Sequence, residues 1–214
     1  MAKPKFLELP FQERPDLTPF LIHLTKNTTG KDGCSAYDNL VNILKSGRIL
    51  GSSGSGFIKG GLKAACFMDV PLLSLKYILN HENSDPEHPR YEPFGILINK
   101  LDAYKNDCRP VLYLSDDEQE TLNIPKSELW RVVGFELNDE GCISWVHERE
   151  WRRPGNHEIP ARFLAVLVKD TTHAMRLAEL IAKKPGDFKV LPMSIIPLSI
   201  VCQGLTYLKG KKAK

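Results

Sequence analysis

The sequence has no C-x-x-C pair, and its five cysteines, Cys34, Cys66, Cys108, Cys142 and Cys202, are odd in number and far apart. That spacing speaks against a zinc ribbon and gives no support to a disulfide framework, so a reducing compartment is expected. No apolar run approaches the ~20 residues that a membrane-crossing helix needs. The first residues, "MAKPKFLELPFQERPD", carry charge and proline where a signal peptide needs an unbroken apolar stretch. A cytoplasmic protein without a membrane partner is the expectation. A strong excess of one charge sign is missing as well: the net charge is +3 over 214 residues, and the basic residues are spread except at Lys209, Lys211, Lys212 and Lys214. Charge alone therefore names no partner. Internal repeats and composition shifts are also missing, so a single domain over 1–214 is expected, with its core at about 20–204 and a basic tail at 205–214.

What is present is an ordinary globular balance, 42% hydrophobic and 26% charged. "FLIHLT" (Phe20 to Thr25) follows Pro15 and Pro19 and reads as a strand. Ser35, with Asp38 three residues later, resembles a capping box. Tyr37, Leu40, Val41 and Leu44 then form one apolar stripe, and Gly47 stands where a helix ends in a left-handed residue. The glycine-rich "RILGSSGSGFIKGG" lacks the strand–helix context of a dinucleotide fingerprint and the Lys-Ser or Lys-Thr of a P-loop, so it reads as a loop. "AACFMDV" reads as a buried strand. A helix capped by Asp69, with Pro71 in its first turn, is expected to run to Leu79. "HENSDPEHPR" reads as loop. Strands are expected at Phe94–Ile98, Pro110–Leu114, Trp130–Leu137, Cys142–Trp151 and Arg162–Val168. A helix from Thr171 or Thr172 to Pro185-Gly186 and a last strand in "MSIIPLSIVC" complete the chain. Such segregation of strands from helices predicts an α+β fold with a mixed or antiparallel sheet.

Two stretches carry candidate chemistry. His23 sits at the end of the first strand, where it is either a packed core histidine or a ligand contact. In "WVHEREWRRP", Glu148 and Glu150 are two apart and would share one face of a strand, so both carboxylates can reach one cleft. Trp145 and Trp151 would lower the local dielectric, while Arg149, Arg152 and Arg153 offer charge pairing; the alternative is a solvated edge strand laced with salt bridges. The metalloprotease pattern fails because Trp151, not histidine, stands four residues after His147. Cys66 as a nucleophile paired with His23 is disfavoured by the buried look of "AACF". A Mg²⁺ nuclease would need clustered carboxylates that are not found locally, and no metal site is expected.

His23-Leu24-Thr25, the "NLVNILKSG" helix, "CFMDVPLLSLKYIL" and "EREWR", in that order, resemble the ADP-ribosyltransferase superfamily. They are similar in particular to the DarT-like toxins and to the abortive phage-resistance family AbiGi. The superfamily shows His-x-Ser/Thr, then N-x-x-x-I-L-x-x-G, then F-x-D-x-x-x-x-S-x-x-Y, which Phe67, Asp69, Ser74 and Tyr77 match. The resemblance spans roughly His23 to Val168 and implies split mixed or antiparallel β-sheets with flanking helices and NAD as substrate. It further implies that His23 bonds a ribose hydroxyl, that Thr25 supports the strand end, that Tyr77 lies near the nicotinamide, and that Phe67 and Arg48 belong to the binding site. Glu150 would be the catalytic glutamate and Glu148 the first acid of an E-x-E pair. The implied function is ADP-ribose transfer to a nucleic-acid or protein acceptor in a phage-defence or toxin–antitoxin system. The alternative is a non-catalytic antitoxin or sensor that binds a partner protein.

Overall fold

A computed structural model describes residues 14–28, 33–52, 58–79, 91–139 and 141–202. The basic tail, the whole of "HENSDPEHPR" and the centre of the glycine-rich stretch lie outside them. In chain order the elements begin with β1 (Phe20–Leu24), α1 (Ala36–Ser46), β2 (Arg48–Ile49), β3 (Ala64–Met68) and α2 (Leu75–Ile78). β4 (Gly95–Asn99), α3 (Lys100–Lys105), β5 (Arg109–Pro110), β6 (Leu112–Leu114) and α4 (Asp116–Thr121) follow. The remainder comprises β7 (Val132–Gly134), β8 (Glu136–Asn138), β9 (Gly141–Ile143), β10 (Glu150–Pro154), β11 (His157–Glu158), β12 (Arg162–Val168), α5 (Thr171–Lys183), β13 (Leu191–Pro197) and α6 (Leu198–Val201).

The main sheet runs β13-β12-β4-β1-β3-β10-β5. Every neighbouring pair in it is antiparallel except β12–β13, which α5 connects as a parallel pair. The fold is thus mixed α+β with helices flanking a mixed sheet. Alternation along the strands gives each face its own core. On one face Leu21, Phe67, Ile96, Val166 and Val168 pack against Tyr37, Leu40 and Leu44 of α1 and Leu177 of α5. On the other, Ile22, Met68, Leu97 and Leu167 pack against Leu75, Leu79 and Leu198.

α1 forms for the reasons its sequence predicts. Ser35 Oγ accepts from the Asp38 amide at 3.1 Å, the apolar stripe is buried, and Gly47 closes the helix at φ 70°, its amide donating to Ile43. Other expectations are corrected. Asp69 does not cap a helix; it is buried against Lys100 at 2.6 Å, and the run after Pro71 shortens to a 3₁₀ turn (Leu72–Ser74) plus one turn of α2. Trp130–Leu137 is not one strand, because Pro125 starts a 3₁₀ turn through Arg131 before β7 and β8. The "PVLYL" run divides at Val111, whose amide donates to the Glu150 carbonyl; β5 pairs with β10 and β6 with β7. The last strand stops at Pro197, which has no amide to extend the ladder and instead opens α6. α3 and α4 were not expected, although Asn99 and the reciprocal Ser115–Glu118 capping box start them. No helix among the described residues is long and apolar enough to cross a membrane.

Candidate active site

The sheet opens between β1 and β3. β1 follows β4 in register from Phe20 to Leu24, but it meets β3 at a single pair, Ile22 with Met68. Past that pair the His23 imidazole takes up the opening, and its Nδ1 lies 2.8 Å from the Cys66 carbonyl oxygen of β3. A carbonyl only accepts, so Nδ1 carries the proton and Nε2 keeps its lone pair. Burial pulls the imidazole pKa below its usual value, against the opposing effect of the Cys66 carbonyl, which keeps the ring neutral. The ring meets Phe67 edge-on at 5.9 Å, and Phe67 in turn meets His157 at 5.1 Å. Behind His23, Gly95 is required by close approach: a Cβ there would stand 2.3 Å from the His23 carbonyl oxygen.

A cleft of about 860 Å³ occupies this fork. One wall is α1, which presents Asn39, Asn42, Ile43 and Ser46 to it, a second i, i+3, i+4, i+7 row beside the buried apolar stripe. Arg48 and Lys26 also line it, and the Arg48 guanidinium makes no ion pair among the described residues. The far wall holds Cys66, Tyr91, Trp145, Glu148, Glu150 and Arg152.

The two glutamates reach this wall differently from the expected strand alternation. Glu148 ends a 3₁₀ turn (Val146–Glu148), Arg149 is left-handed at φ 46°, ψ 52°, and only Glu150 begins β10. Glu148 Oε1 accepts from the Tyr91 hydroxyl at 2.5 Å. Glu150 accepts at both oxygens from Arg152, Nε to Oε1 at 2.8 Å and Nη2 to Oε2 at 3.0 Å. Arg152 Nη1 donates to the Trp130 and Val132 carbonyls. Burial works against the Arg152 charge, but the bonds and attraction to Glu150 outweigh it, and its pKa is raised. Desolvation, reinforced by Glu150, pushes the Cys66 thiol far up, so Cys66 is a neutral S–H and not a thiolate nucleophile.

Register assigns His23, opposite Ile96, and Glu150, opposite Met68, to opposite faces of the sheet. They line the same cleft because the fork between β1 and β3 joins the two faces. Of the residues singled out in the sequence, His23, Thr25, Arg48, Phe67, Glu148 and Glu150 border this cleft. Thr25 does so with its hydroxyl already spent, bonding the Ala36 carbonyl at 2.8 Å and tying the end of β1 to the start of α1. Tyr77 is elsewhere: it is exposed and borders a neighbouring pocket of about 390 Å³, which shares only Tyr91 and Trp145 with the cleft. Sequence reasoning missed Asn39, Asn42, Ser46 and Tyr91. The polar row on α1 was legible as a second helical period, whereas Tyr91 had no local signal. No group of three or more His, Cys, Asp or Glu among the described residues is placed to hold a metal ion.

Compared with family models, curated proteins and solved structures, the chain gives no match.

Proposed function

We propose that the cleft binds NAD and that the chain is an NAD-dependent ADP-ribosyltransferase of a phage-defence or toxin–antitoxin system, transferring ADP-ribose to a nucleic-acid or protein acceptor. The observation that carries this reading is that a neutral His23, Glu148 and Glu150 all line one cleft. About 860 Å³ falls toward the upper end of the roughly 300–1,000 Å³ range of small-molecule sites and suits an extended dinucleotide. His23 Nε2 accepts from a ribose hydroxyl. The polar α1 wall with Arg48 and Lys26 suits the diphosphate, since the Arg48 guanidinium makes no ion pair among the described residues.

In the reaction the bond between ribose C1 and the nicotinamide nitrogen breaks, and its electron pair leaves with neutral nicotinamide. Positive charge develops on the sugar ring, where a carboxylate stabilises it as it forms. Glu150, oriented by its two bonds from Arg152, takes this role through its remaining lone pairs. The acceptor's heteroatom then bonds C1, and its proton passes to Glu148. Purified protein is expected to release nicotinamide from NAD, and Glu150→Gln to release none; equal release from both sinks the catalytic assignment.

One observation favours a second reading, the non-catalytic sensor or antitoxin. The bidentate bond from Arg152 neutralises Glu150 and weakens its pull on a developing cation. That reading expects NAD binding without nicotinamide release.

A further inference from the structure

We infer that Arg149 is the positioning residue of the site, and that the segment Arg14–Pro19 is the clasp that holds it. The inference rests on the NAD chemistry proposed above for Glu148 and Glu150.

Three non-glycine residues among the described ones have a positive φ: Asp107, Asn123 and Arg149. Aspartate and asparagine tolerate that conformation, and arginine has no such preference. Arg149 is also the residue between the two acids. Its left-handed backbone turns the chain out of the 3₁₀ turn and into β10. Glu148 thereby meets the Tyr91 hydroxyl while Glu150 meets Arg152. A continuous strand would put Glu148 on the same face as Glu150 and Arg152; the turn sends Glu148 to the Tyr91 hydroxyl instead, while alternation within β10 pairs Glu150 with Arg152.

Such a backbone persists when its surroundings over-determine it, and here they do. The Arg149 amide donates to the Val146 carbonyl at 3.0 Å, and its carbonyl accepts from the Asp69 amide at 3.1 Å. Asp69 is held by Lys100 at 2.6 Å, and the Lys100 amide donates to the Pro19 carbonyl at 2.9 Å. The Arg149 guanidinium closes the ring, its Nη1 donating to the Asp16 carbonyl oxygen at 2.5 Å. The Arg14–Asp16 side-chain pair and the Leu17 amide bonded to the Arg14 carbonyl shape the segment that presents that oxygen. Residues 16–19 are therefore tied at both ends to the turn that bears the acids. Arg149 touches no reacting atom; it acts through Glu148 and Glu150.

The test compares Arg149→Ala and Arg149→Lys in the full chain. If Arg149 positions the acids, Arg149→Ala lowers kcat for nicotinamide release about tenfold or more, the scale expected for small misplacements of catalytic groups. KM for NAD then stays within about twofold, because His23 and the α1 wall are untouched, and Arg149→Lys, which keeps a donor, recovers most of the loss. A kcat for Arg149→Ala within about twofold of the parent, or a KM that rises together with a lowered Tm, overturns the inference. A crystal structure of Arg149→Ala decides the matter independently of turnover. Loss of the Glu148–Tyr91 contact, or of either acid from the cleft, supports positioning; both acids unmoved refutes it. Absence of turnover in the parent protein refutes the proposed chemistry and leaves this structural result to judge Arg149.

Discussion

Replacing Arg152 with methionine removes the cation beneath Glu150 while keeping a long apolar stem in its place. Arg152 is 2% exposed and Glu150 9%, so the carboxylate left behind is buried with no guanidinium to receive it. Removing one partner of a buried pair costs about 3–5 kcal/mol. The Trp130 and Val132 carbonyls, bonded by Nη1 at 2.8 and 3.4 Å, lose a donor, at about 1–3 kcal/mol for a group left unsatisfied. A total near 5 kcal/mol is a large part of the roughly 5–15 kcal/mol that holds a domain together. At about 2–4 °C per kcal/mol for a chain of this size, Tm should fall by roughly 10–20 °C. Calorimetry on Arg152→Met, Glu150→Leu and the double variant reads the coupling directly. The double variant should be more stable than Arg152→Met alone, because no charge is stranded. If Arg152→Met melts within about 3 °C of the parent, or the double variant loses the sum of the two single effects, the pair is not the buried anchor described.

Gly95→Ala places a Cβ 2.3 Å from the His23 carbonyl oxygen, and it should cost about 2 kcal/mol in denaturant unfolding while weakening NAD binding; neither effect would mean that the β1–β4 approach is loose. Burial, helped by Arg153, pushes the His157 pKa down to about 4 from 6.5. The unfolded state therefore binds the extra proton between those values, and stability, complete above pH 6.5, is lost as pH falls through 4 by on the order of 3 kcal/mol. His157→Gln should flatten that slope in urea titrations at stepped pH, and an unchanged slope removes His157 as its source. Tyr77→Ala should leave NAD affinity within about twofold by titration calorimetry, since the ring borders the neighbouring pocket; a tenfold loss would extend the ligand beyond the cleft.

Local signals in the sequence carried much of the fold. α1 is legible because its cap, stripe and terminal glycine agree with one another, β12 because it is a short unbroken apolar run, and α5 because its apolar residues recur at helical spacing. The "CISWVHEREW" run misled because its alternation reads as one strand, whereas Arg149 adopts a conformation that its residue type gives no reason to expect. Asp69 misled in the opposite sense: its spacing before Pro71 suits a cap, yet Lys100, distant in sequence, claims its carboxylate. The same limit applies to the site. His23, Glu148 and Glu150 stand out by type and context, and Arg152 was foreseeable as a counter-charge two residues from Glu150. The fork between β1 and β3, which brings groups from opposite sheet faces into one cleft, is a matter of register and leaves no mark in composition or period. Tyr77 shows how a motif can align in order while its ring comes to border a different cavity.

Titration of the purified chain with NAD, alongside His23→Ala, bears most directly on the account. One-to-one binding is predicted for the parent protein, weakened at least about tenfold, or about 1.4 kcal/mol, in the variant. A parent protein that takes up no NAD, or a variant that binds as tightly as the parent, would contradict it.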